Sequence, residues 1–130
     1  MPSYPAIGHV ALTVRALDVS VPWYTTLFEA EPVLDEDTGP FRHVVWMLNG
    51  TLFGIHQFPD TDVNAPFTER RAGLDHVSFG VSDRSELERW EKRLDELGIT
   101  HGGIKDAAYG SGLSFRDPDG LPLELFAPPA

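Results

Sequence analysis

The chain contains no cysteine, so neither a disulfide framework nor a thiolate nucleophile or metal ligand is available to it. Cationic residues are scarce as well: 10 Lys and Arg stand against 20 Asp and Glu, a formal net charge of −10. That balance repels phosphate backbones, and no cluster of Lys and Arg departs from it, which argues against nucleic-acid binding. No apolar run approaches the roughly 20 residues that span a bilayer, and Met1-Pro2-Ser3-Tyr4 lacks the basic and apolar regions of a signal peptide. These absences lead us to expect a cytoplasmic protein without a membrane partner. Any metal it binds must sit on imidazole, carboxylate, carbonyl or water. What is present is ordinary for a folded domain: 130 residues, 42% apolar and 23% charged.

The chain repeats itself. His9, Val10, Val14, Trp23, Leu27 and Glu29 recur, each 67 residues later, as His76, Val77, Val81, Trp90, Leu94 and Glu96. Further on the offset becomes 68, setting Phe41 to Phe58 against Tyr109 to Phe126; there only the pattern of strand, turn and strand survives. Each half opens with a period-two segment, Val10, Leu12 and Val14 on one face and His9, Ala11 and Thr13 on the other, which predicts a strand over a core. A helix follows. Ser20 is expected to cap the first, with Pro22 in its first turn; Asp83 with Glu86 has capping-box spacing for the second, and Gly98 ends it. Strands are predicted at about 32–37, 42–48 and 51–58, then 99–104, 111–116 and 121–126, with turns at Asn49-Gly50 and Pro118-Asp119-Gly120. The result is an α+β fold of two βαβββ modules, about 5–58 and 74–128, joined by a linker at 59–73.

Polar residues recur at matching places. His9 and His76 take the same position in the two opening strands, and under the offset of 68 His56 and Glu124 share a position in the two closing strands. A carboxylate between Leu123 and Leu125 is costly to bury unpaired, and a divalent cation would offset that cost. Singly, each histidine reads as a structural imidazole; pairing at the repeat offset favours ligation. By the same offset His43 falls against Ser111 as a surface or wall residue, while Trp23 and Trp90 read as core and His101 as solvated.

Gly8-His9-Val10, Leu74-Asp75-His76-Val77-Ser78-Phe79 and the stretch from Phe115 through Asp117-Pro118-Asp119-Gly120 to Glu124-Leu125 resemble the vicinal oxygen chelate superfamily. That superfamily includes glyoxalase I, extradiol dioxygenases and bleomycin- and fosfomycin-resistance proteins. The resemblance implies a curved mixed sheet around a metal-binding cleft, with His9, His76 and Glu124 as ligands and His56 at a fourth position. His56 there is either a fourth ligand or an acid–base group, and Glu124 is a further candidate for proton transfer. Two His, one Glu and an extra His resemble the extradiol constellation. The expected function is therefore an iron(II)-dependent dioxygenase-like oxidoreductase on a small, aromatic, oxygenated substrate, with zinc, nickel, cobalt or manganese as other metals. The alternatives are a glyoxalase-like isomerase or lyase and a non-catalytic antibiotic-binding module. Ser114 stands where the extradiol signature carries Tyr, and no His lies close before it, only Lys105 and the more distant His101. Phe41, Trp46, Phe58, Tyr109, Ser114 and Phe126 are expected to line the pocket, and a homodimer is expected from short exposed strand edges.

Overall fold

The computed structural model describes residues 3–130. The chain divides into two compact units, one ending at Pro66 and the other beginning at Phe67. Unit one holds β1 (His9–Thr13), α1 (Leu17–Phe28), β2 (Leu34–Asp37), β3 (Arg42–Leu48) and β4 (Thr51–Gln57). Unit two holds β5 (Val77–Gly80), α2 (Arg84–Glu96), β6 (His101–Ala107), β7 (Gly110–Arg116) and β8 (Pro122–Ala127). Each is a βαβββ module with its own four-stranded mixed sheet, in the order β1-β4-β3-β2 and β5-β8-β7-β6. The first and last strands of each module pair in parallel and the other neighbours antiparallel. Among the described residues, no helix is long and apolar enough to cross a membrane.

Alternation along the strands decides which face is covered. In unit one Leu12, Val14, Phe53, Ile55, Val44 and Trp46 are buried with Leu17, Tyr24 and Leu27 of α1. In unit two Leu113, Phe115, Leu123 and Leu125 are buried with Leu87 and Leu94 of α2. Each such side chain contributes about 1.5–3 kcal/mol relative to exposure, so the faces under the helices fix the strand registers. Trp46 belongs here and not to a pocket wall. It is fully buried, its ring lies 6.0 Å from that of Tyr24, and its Nε1 donates to the Ala30 carbonyl at 3.1 Å. Trp23 and Trp90, read as core, are only half-buried; Tyr24, Leu87 and Leu94 take the interior places.

The helix ends depart from expectation in one module and follow it in the other. α1 starts at Leu17, so Ser20 lies inside the helix and buried, and Pro22 falls in the second turn. No neighbouring side chain caps this end; Gln57 of β4 reaches across and accepts from the Leu17 N–H at 2.8 Å. A tertiary acceptor thus replaces the local one. In α2 the Asp83 side chain accepts from the Glu86 N–H at 2.8 Å, while Glu86 returns to the Ser82 N–H, one residue before the usual capping-box partner. Gly98, at φ +71°, follows that helix.

Gly110 opens β7 at φ +140°, and a Cβ there would stand 2.4 Å from both the Ala127 carbonyl oxygen and Phe126 Cζ. Backbone strain and overpacking each cost about 1–3 kcal/mol. Gly110→Ala is therefore expected to destabilise the protein by about 3 kcal/mol, measured by urea unfolding.

Candidate functional site

The uncovered face of each sheet carries the polar residues. In unit one the ladder sets His9 beside Leu52, Ala11 beside Gly54 and Thr13 beside His56, and across the next pair His43 beside His56. His9, His56, His43, Phe41 and Phe58 therefore share the face away from α1. His9 is exposed, His43 and His56 half-buried. The rings form one cluster. Phe41 stacks on His56 at 4.9 Å and 19°, His43 meets His56 edge-on at 5.0 Å, and Phe58 lies 5.5 Å from Phe41. Burial under these rings pushes the His56 pKa below its usual value, and the nearby imidazoles of His43 and His9 push the same way. His56 is thereby held as a neutral base at neutral pH. His43 Nε2 lies 3.5 Å from a Glu36 carboxylate oxygen without making a hydrogen bond to it.

In unit two Ser78 lies beside Glu124, and Ser114 lies opposite it. Glu124 is half-buried, and its Oε1 accepts from Ser78 Oγ at 2.9 Å. His76 immediately precedes β5, exposed, with Nδ1 2.7 Å from Asp75 Oδ1. That partner engages Nδ1, the usual support of an imidazole that binds a metal through Nε2. Tyr109, 75% exposed, stacks on Phe126 at 6.2 Å and 11°. Phe126 lies two residues beyond Glu124 on the same face.

The ladders correct the assumed equivalence of His56 and Glu124. With β1 set against β5 by their histidines, the partner of Ala11 is Gly54 and the partner of Ser78 is Glu124. Gly54 thus matches Glu124, and His56 matches Phe126. The slip is two residues, one pleat, so the face is right and the depth along the strand is wrong. By the same ladders His43 matches Gly112, whereas Ser111 is buried on the other face and bonded to Asp106. One cause is the closing turn. Asn49-Gly50 is a two-residue link between paired Leu48 and Thr51, while Asp117 N–H to Leu121 O closes a three-residue turn.

Among the described residues no group of three His, Cys, Asp or Glu forms a ready metal cluster within either unit. Unit one offers His9 and His56, unit two His76 and Glu124. His101 is not a solvated side chain: Nε2 lies 2.7 Å from Asp95, and the Gly103 N–H donates to Nδ1 at 3.0 Å. The stacking of Phe41 on His56 and the Glu124–Ser78 bond are what the sequence did not reveal; strand parity alone pointed to their faces.

Comparison with known proteins adds four findings. A family model described as Glyoxalase/Bleomycin resistance protein/Dioxygenase superfamily matches residues 6–125. A metallothiol transferase FosB from Shouchella clausii is 32% identical over 92% of this chain and 77% of its own length. A putative ring-cleaving dioxygenase MhqA from Bacillus subtilis is 34% identical over 95% of this chain, which spans 40% of that protein. Among solved structures, a glyoxylase/bleomycin resistance protein/dioxygenase domain from Frankia sp. EAN1pec superposes with a TM-score of 0.88 at 31% identity, covering 97% of this chain and 99% of the other.

A prediction follows from the ring cluster. Because burial is the largest cause of the His56 shift, Phe41→Ala should raise its titration midpoint toward about 6.5. Histidine NMR titration would check this; no upward movement would contradict it. The lowered native pKa also makes His56 favour stability above its unfolded pKa. That contribution fades as pH falls through about 6.5 toward the native value.

Proposed function

The chain belongs to the Glyoxalase/Bleomycin resistance protein/Dioxygenase superfamily, and from that premise we propose that it is a metal-dependent enzyme, an iron(II) dioxygenase-like oxidoreductase acting on a small aromatic, oxygenated substrate. The observation that carries this reading is the His56 imidazole, held neutral beneath Phe41 on the strand face that also bears His9. His9, His76 and Glu124 are the proposed ligands, whether one chain or two supply them. The donor chemistry fits: two imidazoles and one carboxylate, the second imidazole already oriented by Asp75 and the carboxylate by Ser78. Bound there, a divalent ion would supply a Lewis-acid centre with positions left open for substrate oxygens.

The chain's own residues would do the rest. The neutral His56 accepts a proton from a substrate hydroxyl at its free imidazole nitrogen and later returns it, a role suited to a pKa near working pH. Phe41 and Phe58 pack about that imidazole and would offer flat faces to a ring. The ladder places His56 one pleat beyond the position that matches Glu124, which favours acid–base work over fourth-ligand duty.

A second reading is metal-dependent group transfer or isomerisation, in which His56 or Glu124 moves a proton beside a metal-bound substrate oxygen. It is favoured by the likeness to the metallothiol transferase, which extends over most of both chains.

The two readings separate by metal content and oxygen uptake in wild type, His76→Ala, Glu124→Ala and His56→Ala. We expect near-stoichiometric iron in wild type and His56→Ala and loss in the other two. His56→Ala should lower kcat/KM about 10²–10⁴-fold for the loss of an acid–base group. No oxygen uptake across a panel of catechols and quinols would overturn the oxygenase. Zinc, nickel or cobalt lost from all three variants would make His56 a ligand and favour the second reading.

A further inference from the structure

The Glu124 carboxylate rests in a seat made by two residues that no family expectation singled out. Parallel pairing of β5 with β8 brings Ser78 alongside Glu124, and the Ser78 hydroxyl donates to Oε1 at 2.9 Å. On the other side β7 presents Gly112, diagonal to Glu124 and opposite Phe126. A Cβ on Gly112 would stand 3.0 Å from Glu124 Oε2, 3.4 Å from Cδ and 3.8 Å from Cγ. The carboxylate therefore lies directly over bare backbone, in space that any side chain at 112 would take.

The matching ladder in unit one shows what happens without this seat. Where unit two has Ser78, Glu124 and Gly112, unit one has Ala11, Gly54 and His43. The hydroxyl, the carboxylate and the bare backbone are absent together. At Gly54 an added Cβ would meet Val45 Cγ2 at 3.4 Å, the Val44 carbonyl oxygen at 3.7 Å and Ala11 Cβ at 3.9 Å, so the side chains that reach the equivalent space end in methyl groups and offer no hydroxyl. Among the described residues this combination of hydroxyl, carboxylate and bare backbone occurs on the unit-two ladder and not at the matching positions of unit one.

We propose that Ser78 and Gly112 are positioning residues that fix the Glu124 carboxylate for metal binding, an inference that rests on the ligand role assigned to Glu124 above. Ser78 engages Oε1 and so fixes the rotation of the carboxylate plane, leaving Oε2 as the oxygen available to a cation. Gly112 keeps the plane low against the sheet. The backbone at 112 is not in the left-handed region, so alanine is conformationally acceptable there and acts through its methyl group alone. That methyl would push the carboxylate away by a few tenths of an ångström, and partners that orient a ligand carry about 10–100-fold in metal affinity.

The test is titration of the full chain with Co2+, followed by visible absorption and calorimetry, for wild type, Ser78→Ala, Ser78→Thr, Gly112→Ala and Glu124→Ala. Ser78→Ala and Gly112→Ala should each weaken Co2+ binding about 10–100-fold. Ser78→Thr, which keeps the hydroxyl, should restore most of the affinity lost in Ser78→Ala. Melting of the metal-free Ser78→Ala protein should stay at the wild-type temperature, which a merely structural role would not allow. Wild-type affinity in both Ser78→Ala and Gly112→Ala, with binding lost in Glu124→Ala, would overturn this proposal alone. Wild-type affinity in Glu124→Ala, or no binding by wild type, would overturn the ligand reading and this proposal with it.

Discussion

In both units the first strand is held in parallel against the last, and everything at the candidate site depends on that ladder. It brings together residues more than 40 positions apart, Thr13 with His56 and Ser78 with Glu124. Parallel pairing needs a crossover, and the helix between the first two strands supplies it. That helix then covers one face of the sheet and leaves the other face clear of it. A polar residue on the free face need not be desolvated completely, which is why histidine and glutamate are tolerable in strands otherwise full of leucine and valine.

The two units share this plan and spend their free faces differently. Unit one builds a ring cluster, Phe41, His43, His56 and Phe58, with an imidazole kept neutral by burial. Unit two builds a carboxylate seat and places an oriented histidine at the start of the same strand that carries Ser78. The two copies of one module plan thus carry different chemistry. One half offers a base among aromatic faces; the other offers anionic and imidazole donors with little apolar cover beyond Tyr109 and Phe126.

Charge plays a local part. Arg116 donates to both Glu69 oxygens and to the Gly120 carbonyl, tying the segment that leads to His76 to the turn between β7 and β8. The Glu69 carboxyl is held at about 2 by that guanidinium. Phe67 N–H also donates to the Asp119 carbonyl, so main chain and side chain hold the segment together. The connection before β5 is therefore anchored to the turn between β7 and β8. The acidic edge strand β2, with Asp35, Glu36 and Asp37 all exposed, discourages pairing with another sheet edge.

The sequence alone determined the module plan, the strand faces and the residue types available for chemistry. Period-two alternation and turn residues act locally, and a repeat makes each half check the other. It also determined the faces of His9, His56 and Glu124, because side-chain direction in a strand follows parity. Tertiary structure decided depth and partnership. A turn longer by one residue, with spacing changes before it, carried Glu124 into register with Gly54 and not His56, a slip of one pleat that leaves parity unaltered. Long-range packing placed Trp46 under α1 and brought Gln57 to the start of that helix. The bond from Ser78 to Glu124 and the space over Gly112 arise only once three strands lie side by side, since no local pattern encodes which residues of distant strands become neighbours.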